Sequence, residues 1–83
     1  MIRVLLVNDI TLVSNLIAAL LEGIDDIAAV GSVTTVEEAL DRIRDGDVVL
    51  VSAHLPDEGA LRLTRAVDQS APGIKVLVLG LTE

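Results

Sequence analysis

Eighty-three residues, 52% of them apolar and 23% charged, exclude a disordered chain, which would bury too little apolar surface to offset its conformational entropy, and allow one small domain. Phe, Tyr, Trp and Cys are all absent, so no disulfide supports the fold, the core must be packed from Val, Leu, Ile and Ala, and there are no rings on which unpaired bases could stack. Six basic against thirteen acidic residues give a formal charge of −7, which repels phosphate backbones and anionic membranes and disfavours direct DNA binding by this segment.

From the N-terminus, Ile2 to Val7 is a continuous run of β-branched and Leu residues closed by Asn8-Asp9, the pattern of a strand buried on both faces. From Thr11 to Leu21 the apolar residues Leu12, Val13, Leu16, Ile17, Leu20 and Leu21 recur at helical spacing. Gly23 stands where a C-terminal cap belongs, and Asp9 or Thr11 is placed to cap the start. Ile27 to Val33 is a second short strand, interrupted by Gly31. Thr34 or Thr35, before Glu37-Glu38, then opens a helix that runs to about Arg44 and stops at Gly46. Its positions Val36, Ala39, Leu40 and Ile43 share one face, while Glu37, Glu38, Asp41, Arg42 and Asp45 are expected to face water. Val48 to Val51 is a third strand, followed by the loop Ser52 to Gly59. A third helix, from Ala60 to about Gln69, breaks at Ser70-Ala71-Pro72-Gly73 before Ile74 to Leu79 forms a fourth strand.

Strands that alternate with helices, and that are apolar throughout, predict a parallel sheet with helices on both faces, wound by right-handed crossovers. Ligands of such sheets bind beyond the carboxyl ends of the strands, here Asn8-Asp9, Ser52 and Gly80. Gly31 has no phosphate-loop context, so nucleotide binding has no support. Runs such as Leu16 to Leu21 are far shorter than the roughly 20 residues that span a bilayer, and the short run after Met1 does not make a signal peptide. The expectation is a cytoplasmic protein without membrane contact. Strand four ends the sheet as an apolar edge, which predicts pairing with another copy.

Over the whole chain, Ile2-Arg3-Val4-Leu5-Leu6-Val7-Asn8-Asp9, Leu12-Val13, Ala18-Ala19-Leu20-Leu21-Glu22, Ile27-Ala28-Ala29-Val30-Gly31 and Glu37-Glu38-Ala39-Leu40 resemble the first four strands and three helices of bacterial response-regulator receiver domains, in particular the LuxR/NarL-type subclass. The resemblance implies a single domain over 1–83, a three-layer α/β/α flavodoxin-like sheet with strand order 2-1-3-4 that stops before the fifth strand, and a role in two-component signal transduction and transcription regulation. It also implies a carboxylate pocket: two acids after strand one, a phosphoryl-accepting aspartate ending strand three, a hydroxyl residue ending strand four and a lysine ending strand five. On this sequence those positions fall on Asn8, Asp9, Ser52 and Gly80, with no fifth strand present. Leu55-Pro56 matches the hydrophobic-Pro pair that follows the phosphoacceptor, although a turn ending strand three explains Pro56 as well.

The pocket is therefore expected to be degenerate. Mg²⁺ is a hard cation usually held by one or two carboxylates and phosphate oxygens, and only Asp9 remains as a weak candidate ligand, one that also reads as a helix cap. A serine hydroxyl is a poor nucleophile at neutral pH without an activating base. His54 does not supply one, because residues two apart at a strand end lie roughly 6 to 7 Å apart and no Gly-x-Ser-x-Gly elbow accompanies Ser52. The expected function is a phosphorylation-independent interaction and dimerisation module, without enzymatic activity, cofactor or metal. DNA would be met only through an output domain outside this chain. Two rivals remain at the level of sequence: a conventional Mg²⁺-dependent phosphoacceptor, and a small-ligand sensor using Asn8, Ser52 and His54 as neutral hydrogen-bonding groups.

Overall fold

The strand β1 (Ile2–Val7) sits inside the sheet, flanked by β2 (Ile27–Val33) and β3 (Val48–Ser52), with β4 (Lys75–Leu79) beyond β3. All pairings are parallel and the order is β2-β1-β3-β4. A computed structural model describes residues 1–80; of the expected 1–83 domain, positions 81–83 lie outside the described residues. The connections are α1 (Thr11–Glu22), α2 (Val36–Arg42), which tightens into a 3₁₀ turn at Ile43–Asp45, and α3 (Gly59–Ser70). This is the parallel α/β sheet that the alternation predicts, in the flavodoxin-like order that the resemblance implies, with element boundaries within a residue or two of those expected.

Parity along β1 sorts the two layers. Leu5 and Val7 join Val49, Val51, Val33, Val36, Ala39, Ile43, Leu63 and Val67 in one buried core under α2 and α3. Val4 and Leu6 point the other way, toward α1. A register shift between Val4 and Leu5 leaves Val30 as an extra residue in β2, a bulge that reverses the strand's parity. Ile27 consequently lines the α1 side with Ile2, Val4 and Leu21, whereas Val33 reaches the core on the α2–α3 side. Arg42, expected to face water, instead turns inward. Its Nη2 donates to the Val30 carbonyl at 3.1 Å while its Nε meets Asp45 at 3.3 Å. Val30 is the residue that the bulge leaves without a partner in β1, and the guanidinium supplies a donor to its carbonyl.

Helix starts follow local chemistry. Thr35 caps α2: its Oγ1 accepts the Glu38 N–H at 3.2 Å, and the Glu38 carboxylate accepts from the hydroxyls of Thr35 and Thr34. Neither Asp9 nor Thr11 caps α1, contrary to expectation. The helix starts at Thr11 as expected, but its N-cap is Ile10, without a side-chain cap bond, and Asn8 Oδ1 accepts the Ile10 N–H at 2.9 Å. The apolar set of α1 also divides. Val13, Ile17 and Leu21 are half-buried, while Leu12, Leu16 and Leu20 are exposed. Opposite the strand ends, Arg3 and Asp47 clamp β1 to the start of β3 through an Arg3 N–H to Asp47 Oδ2 bond of 2.9 Å and a side-chain pair at 3.3 Å. The guanidinium hydrogen bond and charge hold the Asp47 carboxyl below its ordinary value.

Candidate functional site at the strand ends

Parallel register brings the expected positions to one edge of the sheet. Val7 pairs with Val51 and Ser52 with Leu79, so Asn8, Ser52 and Gly80 end three adjacent strands. Asn8 and Ser52 are buried, at 8% and 9% exposure, whereas Asp9, His54, Pro56 and Gly80 are exposed. The Asn8 N–H donates to the Val33 carbonyl at 3.1 Å and the Ala53 N–H to the Leu79 carbonyl at 2.8 Å, which ties the three strand ends together.

The two buried polar side chains are spent locally. Asn8 Oδ1 accepts from the Ile10 backbone, and Ser52 Oγ accepts from the His54 N–H at 3.1 Å. Each closes a turn of the kind that Asn and Ser favour, with the side chain substituting for a backbone acceptor two residues before the donor. Ser52 thus meets the main chain of His54. A Cβ placed on Gly80 would stand 3.8 Å from Ala53 Cβ, an ordinary contact, so this position has room for a hydroxyl residue although it holds none.

The loop after Ser52 carries the local strain. Asp57 and Glu58 have φ of 58° and 57°, the left-handed region that costs residues with a Cβ roughly 1–2 kcal/mol each. Glu58 is the N-cap of α3, which makes no side-chain cap bond. Leu55 is buried against the first turn of α3, where a Cβ on Gly59 would come within 2.5 Å of Leu55 Cδ2. Gly59 is therefore required by close approach. The sequence reading placed it in the loop; the contact with Leu55 makes it the first residue of the helix. Pro56 sits exposed in the turn between Leu55 and the strained pair.

As a donor set, the strand ends offer one carboxylate, Asp9, and no group of three His, Cys, Asp or Glu among the described residues is placed to hold a metal ion. The amide oxygen and hydroxyl nearest to it already accept backbone N–H groups. These residues do not fit a Mg²⁺ site of the oxygen-rich, carboxylate-led kind.

No family model matches the chain. Individual proteins do: response regulator GacA of Pseudomonas viridiflava is 40% identical over 85 residues, covering 100% of this chain and 40% of GacA. A two-component response regulator of the LuxR family from Aurantimonas sp. superposes with a TM-score of 0.88 at 26% identity, over 100% of this chain and 61% of that one. The fold is that of response-regulator receiver domains, and the sequence is similar to response regulators along its whole length. RcsB of Salmonella enterica serovar Typhimurium, solved on a promoter in the presence of a phosphomimetic, shares the fold with a TM-score of 0.86 at 18% identity, over 100% of this chain and 72% of that chain. The receiver spans 40% of the length of GacA. None of its described helices is long and apolar enough to cross a membrane.

Proposed function

We propose that this receiver works without phosphorylation, as a protein–protein interaction and dimerisation module of a two-component-type transcriptional regulator. It is not itself an enzyme. Any DNA contact would belong to an output domain outside this sequence, as the −7 charge of the receiver also argues. The observation that carries the reading is the state of Ser52: the residue in the phosphoacceptor position is a buried hydroxyl whose oxygen closes a turn onto the His54 N–H. An acyl phosphate needs a carboxylate nucleophile, and a serine hydroxyl is a weak nucleophile at neutral pH unless a base activates it. Asn8 extends the argument, since a neutral amide at the first acid position removes both metal attraction and the repulsion between neighbouring carboxylates that a metal would otherwise relieve.

Amide-resolved NMR titration with Mg²⁺ and beryllofluoride, the latter a stand-in for a bound phosphoryl group, tests the proposal. A well-dispersed spectrum without saturable shifts at Asn8, Asp9 and Ser52 is the expected result. Saturable shifts at those three amides would overturn it in favour of a conventional phosphoacceptor. The double variant Asn8→Asp, Ser52→Asp is the positive control, expected to gain Mg²⁺-dependent shifts at these positions.

A further inference from the structure

The loop between β3 and α3 is two turns in series, each closed by its own hydrogen bonds. In the first, the Leu55 N–H donates to the Ser52 carbonyl at 3.2 Å and the His54 N–H to Ser52 Oγ at 3.1 Å. In the second, the Gly59 N–H donates to the Pro56 carbonyl at 3.1 Å across Asp57 and Glu58, whose φ angles are 58° and 57°. A four-residue turn with both central residues left-handed is the mirror-image type that Asn-Gly and Asp-Gly form without strain. Asp57 suits its place, because a short polar side chain tolerates the left-handed region. Glu58 stands where glycine belongs.

A misfit of this kind persists only where its surroundings over-determine it. One support is Leu55, which is buried and seated in the space that Gly59 leaves by lacking a Cβ. The other is the Ser52 hydroxyl. Ser52 ends β3, a strand hydrogen-bonded on both sides, so its buried oxygen is a fixed point to which the loop is tied. Downstream, the Glu58 carbonyl accepts the Arg62 N–H at 2.9 Å, and the strained residue therefore also supplies a hydrogen bond to the first turn of α3. There is room for the loop to relax, since a cleft of about 150 Å³ lies between Leu55, Pro56 and Asp57 and the start of α2 at Thr35 and Val36.

We infer that the β3–α3 loop is a strained latch with Ser52 as its catch. The hydroxyl holds the left-handed turn at Asp57 and Glu58 in a pinned state, and through that turn it holds the start of α3. Loss of the one hydrogen bond releases loop and helix start together, because it destabilises the pinned state alone while the strain at Glu58 is absent from the released one. Resting on the phosphorylation-independent reading, this gives the hydroxyl in the acceptor position a positioning role in place of a chemical one. A partner that engages the loop is thereby felt at α3.

Amide hydrogen exchange on the full 83-residue chain tests the latch at His54, Gly59 and Arg62, three donors of the pinned state. In Ser52→Ala the His54 amide loses its acceptor directly. The decisive expectation concerns Gly59 and Arg62, whose own acceptors are untouched: both exchange roughly tenfold faster or more, while Val49 and Val51 in β3 keep their rates. Ser52→Thr retains the hydroxyl and keeps all three amides protected. Glu58→Gly removes the strain, so adding it to S52A returns Gly59 and Arg62 to within about threefold of the unmodified chain. An effect confined to His54, a uniform acceleration that includes Val49 and Val51, an S52T chain that behaves as S52A, or a double variant as fast as S52A would each overturn the latch. Confinement to His54 with a silent Mg²⁺ and beryllofluoride titration defeats this inference alone. Coupled release together with saturable beryllofluoride shifts defeats only the phosphorylation-independent reading.

Discussion

The two edges of one sheet are finished in opposite ways. β2 carries an extra residue at Val30, and an arginine from α2 occupies the carbonyl that the bulge turns out. β4 runs flat against β3 and presents valine and leucine on both faces. Edge protection on β2 is thus local chemistry, an unpaired residue and a guanidinium, added to one particular strand. The buried core lies on the α2–α3 side, and both layers also carry open grooves: one of about 260 Å³ on the α1 side lined by apolar residues, among them Leu50 and Leu77, and one of about 410 Å³ beside α3 at Ala60, Leu61 and Val78.

The largest effect that would sharpen the contrast lies in the core. Leu63 is fully buried, so Leu63→Ala should cost about 2–5 kcal/mol in denaturant unfolding. Leu77→Ala, measured at a concentration where the chain is monomeric, should stay within about 0.5 kcal/mol. Equal losses would mean that β4 is packed as deeply as the core. Next comes the protected edge: Arg42→Ala leaves the Val30 carbonyl to water and should cost about 1 kcal/mol, while raising light scattering as the β2 edge opens to pairing. Gly31→Ala should act in the same direction, because its Cβ would fall on the Arg42 guanidinium. Glu58→Gly relieves a left-handed residue beside the strand-end site and should raise stability by about 1 kcal/mol; no gain would show that the strain is already compensated by the packing of Leu55.

The smallest effect is electrostatic. Asp47 has its pKa lowered by the hydrogen bond and charge of Arg3. A carboxyl lowered in the folded state adds stability above its unfolded pKa and loses it as pH falls through the folded value. Acid unfolding of Asp47→Asn should therefore depend less on pH below about 4 than that of the unmodified chain. The pair is exposed, so the difference is a shift in slope and not in fold.

Much of the architecture was legible in sequence because strand runs and helical spacing are read directly from apolar order: Ile2 to Val7 and Val48 to Val51 fall where expected. The strand-end residues Asn8, Ser52 and Gly80 were found because topology, not local propensity, puts them together. What escaped has a common cause. The bulge at Val30 follows from the pairing of β2 with β1, which no local pattern encodes, and with it went the role of Arg42, whose helix position alone reads as a solvated charge. The start of α1 at Thr11 was read correctly, but its cap was not, because Asn8 takes the Ile10 N–H and no side chain caps the helix, a contest that a list of good capping residues does not decide. The exposure of Leu12, Leu16 and Leu20 was likewise hidden, since an all-apolar helix does not say which of its sides meets the sheet.

The extra residue in β2 has an evolutionary corollary. Ile27 and Val33 are six positions apart, yet they enter opposite layers, because Val30 takes up one step without a partner. Ala29 and Gly31 already pair with consecutive residues of β1. Loss of the Val30 codon would therefore leave every other side chain of the strand on its own side of the sheet. A lineage can lengthen or shorten the protein by one residue here without re-sorting either layer. Its cost would fall on the one thing the insertion provides, a border that refuses a neighbour.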